Sequence, residues 1–126
     1  MKKELIKDVM DWHTETFPEA TGSGQLAKLT EEFNEYIAIR TDDFGVGVEE
    51  LADIFIVGCG LSRFTNAGAL MAFGFVYKEC DDYCKNFGND IVFYLDLVSE
   101  AVAKKMETNR QRKWTKGKGE YKHVGE

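Results

Sequence analysis

The sequence predicts an all-α fold, a bundle of four to five helices. Three observations support this prediction. The 126 residues include a single proline, and proline is the residue that most strongly breaks helices. Apolar side chains recur at helical spacing along most of the chain. A hydrophobic fraction of 44% and a charged fraction of 30% are typical of one globular domain of this length.

The first two helices are predicted from their apolar stripes. Residues 2–16 place Leu5, Val9 and Trp12 on one face, and Pro18 ends this helix because the residue before a proline avoids the α region. A glycine-rich loop follows, in which Ser23 is a candidate N-cap. The second helix is predicted over residues 25–40, with a stripe formed by Leu26, Leu29, Phe33, Tyr36 and Ile37.

The third helix, residues 47–64, is predicted to lie at the centre of the bundle. Asp53 is the single charge between Leu51 and Leu61, and a helix that is apolar on all sides is normally buried. Gly58 and Gly60 are expected to let another helix approach closely.

The second half of the chain gives weaker patterns. Residues 65–89 are predicted to hold a turn and then a short helix that ends near Lys85. The last long helix is predicted over residues 90–113, with Asp90 as its N-cap. No strand is predicted. The domain is expected to end at residue 114, and the glycine- and lysine-containing residues 115–126 are expected to form a basic flexible tail.

Charge and cysteine content exclude several classes of protein. The net charge is −6, yet residues 104–126 carry eight basic and three acidic side chains. An acidic body with a basic end is poorly suited to bind a nucleic acid polymer. Three cysteines, with His13 and His123 as the available histidines, favour reduced thiols over a disulfide scaffold or a zinc site. No apolar run resembles a membrane span or a signal peptide, so a cytoplasmic protein is expected.

Two pairs of carboxylates carry the main chemical prediction. Glu32 and Glu35 lie three residues apart on the second helix, and Glu50 and Asp53 repeat this spacing on the third. If two antiparallel helices bring the pairs together near the interior, each pair of charges at ~4 Å costs about 4 kcal/mol at an effective dielectric constant of ~20. The group must then take up protons, find cations or bind a metal. Oxygen ligands favour Mg²⁺, with Mn²⁺ as a substitute, and Mg²⁺ favours a phosphorylated substrate.

Basic and aromatic side chains supply candidates for binding such a substrate. Lys105, Asn109 and Arg112 share one side of the last helix, where lysine and arginine suit phosphate oxygens. The alternative is that basic residues at a helix C-terminus simply interact with the macrodipole. Four aromatic residues are candidates for stacking on a base, although packing is the commoner role for such residues: Trp12, Phe17, Phe44 and Trp114.

Together these motifs resemble those of the MazG-like all-α nucleoside triphosphate pyrophosphatases, in particular the phage and bacterial dATP/dGTP diphosphohydrolase type. The resemblance covers roughly residues 10–114. It rests on Glu-Glu-x-x-Glu at 31–35, Glu-x-x-Asp at 50–53, the basic segment 105–112, Trp12, and the segments 17–20 and 25–29.

The resemblance implies a catalytic helical domain that forms a homo-oligomer, either a dimer or a tetramer. It also implies Mg²⁺-dependent conversion of a nucleoside triphosphate to the monophosphate and pyrophosphate, with a purine dNTP as the expected substrate. The metal ligands that it implies are Glu32, Glu35, Glu50 and Asp53. It assigns Glu31 to orienting a ligand or the attacking water. The same comparison of motifs implies that the nucleotide is bound by Lys105, Asn109 and Arg112.

Three other interpretations remain open. A non-catalytic helical module for protein interaction explains the acidic faces as surface. A regulator that binds a nucleotide without hydrolysing it would be expected to have the same motifs as the enzyme. A di-iron carboxylate bundle needs two Glu-x-x-His motifs, and the chain offers one, at Glu120 and His123.

Overall fold

A computed structural model describes residues 3–117 and 120–124, with the backbone alone described for residues 115–117 and 120–124. It confirms an all-α bundle of five helices within these ranges. The helices are followed by a hairpin of two short strands. The elements are α1 (Lys3–Thr16), α2 (Gly22–Ile39), α3 (Phe44–Leu61), α4 (Asn66–Phe87), α5 (Ile91–Gln111), β1 (Lys113–Gly117) and β2 (Glu120–Val124).

Helix α3 is the centre of the bundle and packs against the other four helices. Nearly all of its residues from Leu51 to Leu61 are buried, as its apolar sequence predicts. Its glycines allow the close approach that was expected of them. A Cβ at Gly58 would lie 2.7 Å from the Cβ of Ala72 on α4, and a Cβ at Gly60 would lie 2.7 Å from the His13 ring on α1.

Two helix starts differ from the sequence prediction because other side chains cap them. The side chain of Thr21, rather than that of Ser23, accepts a hydrogen bond from the backbone N–H of Gly24 at 3.0 Å. Asp43 caps α3 by accepting from the Gly45 N–H at 2.9 Å, so this helix begins at residue 44 instead of 47. Asp90 caps α5 as predicted.

Helix α4 is longer and more regular than predicted. It runs without interruption for 22 residues, although glycine inside a helix is normally unfavourable. Gly74 lies on an exposed face where an added Cβ would meet nothing within 4 Å. Glycine at this position therefore lowers the helix propensity of α4 but has no role in packing. No described helix is long and apolar enough to cross a membrane.

The hairpin was not predicted from the sequence. Strands β1 and β2 pair antiparallel, with Trp114 opposite His123 and Lys116 opposite Tyr121. The glycines at 117 and 119 favour irregular structure locally, so the sequence pattern gives little sign of these strands. Trp114 anchors the start of β1 to the bundle through edge-to-face contacts with the rings of Trp12 and Phe17.

Candidate functional site

A cavity of about 310 Å³ lies among α1, α2, α3 and α5 at the point where the hairpin begins. Its lining combines acidic, basic and aromatic side chains. The acidic members, called here the acid cluster, are Glu32, Glu35 and Asp53. The aromatic members, called here the aromatic wall, are Trp12, Phe17 and Trp114. The remaining polar and basic members are His13, Gln25, Lys28, Lys105, Asn109 and Arg112.

Glu32 is the most strongly perturbed group of the acid cluster. It is 7% exposed, and its Oε2 has no hydrogen-bond partner among the described residues. Burial, reinforced by the negative charges of Asp53 and Glu35, raises the pKa of Glu32 from 4.5 to about 8. Glu32 therefore holds a proton in most molecules at neutral pH. A cation at this position would favour release of that proton, because it stabilises the ionised carboxylate.

Asp53 and Lys105 form an ion pair across α3 and α5. The Lys105 Nζ lies 3.0 Å from the Asp53 Oδ2, and each side chain is 27% exposed. Burial raises the pKa of Asp53, and Lys105 offsets only part of this effect. Burial by itself would lower the pKa of Lys105, but the Asp53 carboxylate outweighs it and the net shift is upward. Asp53, the single charge in the apolar part of α3, is thus only partly shielded from solvent.

The structure brings six of the eight predicted site residues to one cavity: Glu32, Glu35, Asp53, Lys105, Asn109 and Arg112. Glu31 is exposed and lies outside the lining. Glu50 is half-buried and also lies outside it, although burial raises its pKa and its charge interacts with those of Lys105 and Asp53. In the described part of the chain, no group of three or more His, Cys, Asp or Glu side chains is arranged to hold a metal ion.

The acid cluster nevertheless has the chemistry that a hard cation needs. It offers carboxylate oxygens alone, which are the ligands that Mg²⁺ prefers. The Oε2 of Glu32, which has no hydrogen-bond partner in the described part of the chain, would be one such oxygen once the group gives up its proton. Lys105 supplies positive charge to Asp53 but not a hydrogen bond to Glu32. The acid cluster would therefore supply oxygen ligands to a small divalent cation, although the described residues are not arranged as a group that holds one.

The aromatic wall faces the same cavity. The ring centroids of Trp12 and Phe17 lie 5.2 Å apart, those of Phe17 and Trp114 lie 5.0 Å apart, and all these pairs meet edge to face. Phe17 is buried, whereas Trp12 and Trp114 are half-buried, so the aromatic wall is a packed cluster that lines one side of the cavity. The fourth aromatic candidate, Phe44, instead packs in the core against Tyr83 and Tyr94.

Asn109 and Arg112 lie where α5 ends and β1 begins. Asn109 is buried, its backbone carbonyl accepts from the Trp114 Nε1–H at 3.3 Å, and its Oδ1 accepts from the Arg112 Nη1 at 3.4 Å. Asn109 thus ties the aromatic wall to the basic side chains of the cavity.

Three polar lining residues were not predicted from the sequence, namely His13, Gln25 and Lys28. Lys28 lies near enough to Glu32 to oppose the rise in its pKa. Gln25, Lys28, Glu32 and Glu35 follow helical spacing along α2, so extending the carboxylate face by two turns toward the N-terminus would have found them. His13 carries no comparable pattern, because its place in the site depends on how α1 packs against α3.

No protein-family model matches the chain, and comparison with curated proteins and solved structures gives no significant match. The MazG-like resemblance therefore remains a prediction from the sequence motifs. Any function assigned to the cavity has to come from its own side chains.

Proposed function

We propose that the protein is a Mg²⁺-dependent nucleoside triphosphate pyrophosphohydrolase, which converts a (deoxy)nucleoside triphosphate to the monophosphate and pyrophosphate. One observation carries the proposal. A single cavity holds the acid cluster, in which Glu32 is buried and its pKa is raised, together with basic side chains and the aromatic wall. A nucleotide needs these three elements together, since it has a flat base and an anionic chain that is bound with a cation.

In this proposal the base lies against the aromatic wall and the phosphates extend toward the acid cluster. Lys105 and Arg112 donate to phosphate oxygens, and arginine can do so through two parallel hydrogen bonds. Lys105 exchanges its present partner, the Asp53 carboxylate at 3.0 Å, for phosphate when the nucleotide enters. Asn109 keeps Trp114 and Arg112 in place through its hydrogen bonds.

Glu32, Glu35 and Asp53 would hold the cation, with Glu50 completing the set after a small movement of α3 or of its own side chain. Bound Mg²⁺ would neutralise charge on the phosphate chain and orient it for attack by water. A carboxylate that stays unliganded would take the proton from that water. Glu31, which is exposed, would have to act from the cavity rim.

The test is incubation of the purified protein with each common NTP and dNTP, with Mg²⁺ or with EDTA, followed by separation of the products. We expect Mg²⁺-dependent monophosphate and pyrophosphate. The variant Asp53→Asn should lose at least a hundredfold in rate, while the matched control Asp96→Asn, on an exposed part of α5, should keep full activity. Release of diphosphate and phosphate, or full activity of Asp53→Asn, would contradict the proposal.

A second candidate is a nucleotide-binding module that does not hydrolyse its ligand. The observation in its favour is that Asp53 is already paired with Lys105, and that no group of three potential ligands is preformed for a metal within the described ranges. Calorimetric titration with nucleotides separates the two candidates, because the module would bind nucleotide equally well with EDTA and release no product.

We also expect a homo-oligomer, with α4 as the contact. Leu70, Met71 and Tyr77 are 67%, 51% and 56% exposed on one face of this helix, and Gly74 between them leaves room for a second helix. Light scattering after gel filtration should give at least a dimer for the native protein and a smaller species for Leu70→Glu. A monomeric native protein would refute this expectation.

A further inference from the structure

Lys105 makes an ion pair that differs in kind from the other lysine pairs of the described residues. Its Nζ lies 3.0 Å from the Asp53 Oδ2, the pair joins α5 to α3, and each side chain is 27% exposed. The other lysine pairs join positions four apart on one helix, and their lysines are at least 69% exposed, so they contribute little to stability. Lys105 and Asp53 are instead brought together by the packing of two helices and are partly shielded from water.

This ion pair lies within the acid cluster. Asp53 and Lys105 line the same cavity as Glu32. Lys105 donates to Asp53, whereas the Glu32 Oε2 has no hydrogen-bond partner among the described residues. In the same part of the chain, no group of three or more His, Cys, Asp or Glu side chains is arranged to hold a metal ion. The Asp53 carboxylate is thus placed to bind the Lys105 ammonium rather than a metal.

Lys105 and a divalent cation cannot both bind the Asp53 carboxylate at full strength. Two positive charges beside one carboxylate repel each other, and this repulsion is larger at a partly shielded site than in bulk water. Lys105 can leave Asp53 at little cost only when another anion takes its place. A phosphate chain would be that anion, because Asn109 and Arg112 follow Lys105 at helical spacing on α5 and line the same cavity. A lysine side chain is flexible enough to change partners in this way.

We propose that Lys105 and the divalent cation compete for Asp53, and that the nucleotide ends this competition by drawing the Lys105 ammonium onto its phosphate chain. The cation and the nucleotide then bind cooperatively, and each raises the affinity of the site for the other by the same factor. The inference rests on the proposed function and adds how the binding of the cation is coupled to the binding of the substrate.

The first test measures the binding of Mn²⁺ by itself. Free Mn²⁺ is followed by electron paramagnetic resonance in a titration of the full-length protein without nucleotide. Lys105→Met and Lys105→Gln both remove the competing charge. Each should bind Mn²⁺ at least tenfold more tightly than the native protein, a factor that corresponds to about 1.4 kcal/mol. The matched control is Lys104→Met, which removes the same charge from the adjacent, exposed position of α5 and should stay within about twofold of the native affinity.

Two further variants show whether the gain depends on Asp53 and on charge. Addition of Asp53→Asn to Lys105→Met should abolish the gain in Mn²⁺ affinity. Lys105→Arg keeps the positive charge and should bind Mn²⁺ about as weakly as the native protein. Circular dichroism establishes that each variant is folded, and Lys105→Gln, which keeps a hydrogen-bond donor for Asp53, carries the test if Lys105→Met does not fold.

The second test measures the coupling between the cation and the nucleotide. Binding of the α,β-methylene analogues of the four common dNTPs, which resist the expected cleavage, is followed by calorimetry in 5 mM Mg²⁺ and in EDTA. For the analogue that binds most tightly, Mg²⁺ should raise the affinity in the native protein. This gain should be about tenfold smaller in Lys105→Met, because the variant has no competing charge for the nucleotide to remove.

The outcomes separate this inference from the proposed function. If both Lys105→Met and Lys105→Gln bind Mn²⁺ within about twofold of the native affinity, or if Lys104→Met gains as much as they do, the competition is wrong. A gain that survives Asp53→Asn would also overturn it. These results leave the proposed function intact, because no nucleotide takes part in the first test. An equal effect of Mg²⁺ on analogue binding in the native protein and in Lys105→Met would overturn the coupling alone. If none of the four analogues binds in Mg²⁺, both the proposed function and the coupling are wrong.

Discussion

Substitution of Glu32 by glutamine should change how the stability of the protein depends on pH. The carboxyl group of Glu32 has a pKa of about 8 in the folded protein and 4.5 when free. Between these values the unfolded chain releases this proton while the folded protein keeps it, so the free energy of unfolding falls as pH rises. Glutamine has the shape of the protonated acid and does not titrate. Glu32→Gln should therefore remove this part of the pH dependence.

The expected magnitude follows from the separation of the two pKa values. Each unit corresponds to about 1.4 kcal/mol, so the stability gained by Glu32→Gln over the native sequence rises from near zero at pH 4.5 to a ceiling of about 5 kcal/mol at pH 8 and above. With a urea m-value of about 2 kcal/mol per molar, the denaturation midpoint of the variant should exceed that of the native protein by about 1–2.5 M at pH 8.5.

The assay is urea unfolding, followed by circular dichroism, at several pH values from 5 to 9 in EDTA. The control is Glu31→Gln, which removes an exposed carboxylate from the adjacent position of α2 and should follow the native curve. Parallel curves for the native protein and Glu32→Gln would refute the reasoning. Repeating the series in 5 mM Mg²⁺ should flatten the curves of the native protein and of Glu31→Gln but not that of Glu32→Gln, since a bound cation favours the ionised carboxylate of Glu32.

Four further substitutions test other parts of the structure. Lys105→Met leaves Asp53 without its ion-pair partner and should destabilise the protein by about 1–3 kcal/mol at pH 8. The loss should shrink as the pH is lowered toward the raised pKa of Asp53, and a loss in urea unfolding that does not change with pH would contradict this. Gly58→Ala places a methyl group 2.7 Å from Ala72 and should lower the free energy of unfolding by about 1–3 kcal/mol. Gly74→Ala, at an open position, should instead stabilise the protein by up to about 1 kcal/mol. Thermal melting should therefore show a lower melting temperature for Gly58→Ala and a higher one for Gly74→Ala, each relative to the native protein. Trp114→Ala should weaken nucleotide binding about tenfold or more in calorimetric titration, and unchanged affinity would place the base elsewhere.

The boundaries of the elements were predicted where local chemistry decides them. Pro18 ends α1 and Asp90 caps α5, because both effects act within a few residues. The long α4 and the hairpin were not predicted. The glycines in both segments favour irregular structure locally, and only packing, such as that of Trp114 on Phe17, shows which of them are tolerated. The prediction of a flexible tail over residues 115–126 includes residues outside the described ranges and stays a prediction.

The sequence by itself determined the α-helical class and the buried central helix, and it predicted that Glu32 and Asp53 would meet if α2 and α3 packed antiparallel. Helical periodicity and an aspartate inside an apolar segment are local patterns that need no three-dimensional information. Only the tertiary structure decided that Lys105 pairs with Asp53, that the Oε2 of Glu32 lacks a partner, and that His13, Gln25 and the aromatic wall share the cavity with them. These relations join residues far apart in the chain. They depend on how closely α1 and α5 pack on the glycines and apolar side chains of α3, which no spacing along the sequence encodes.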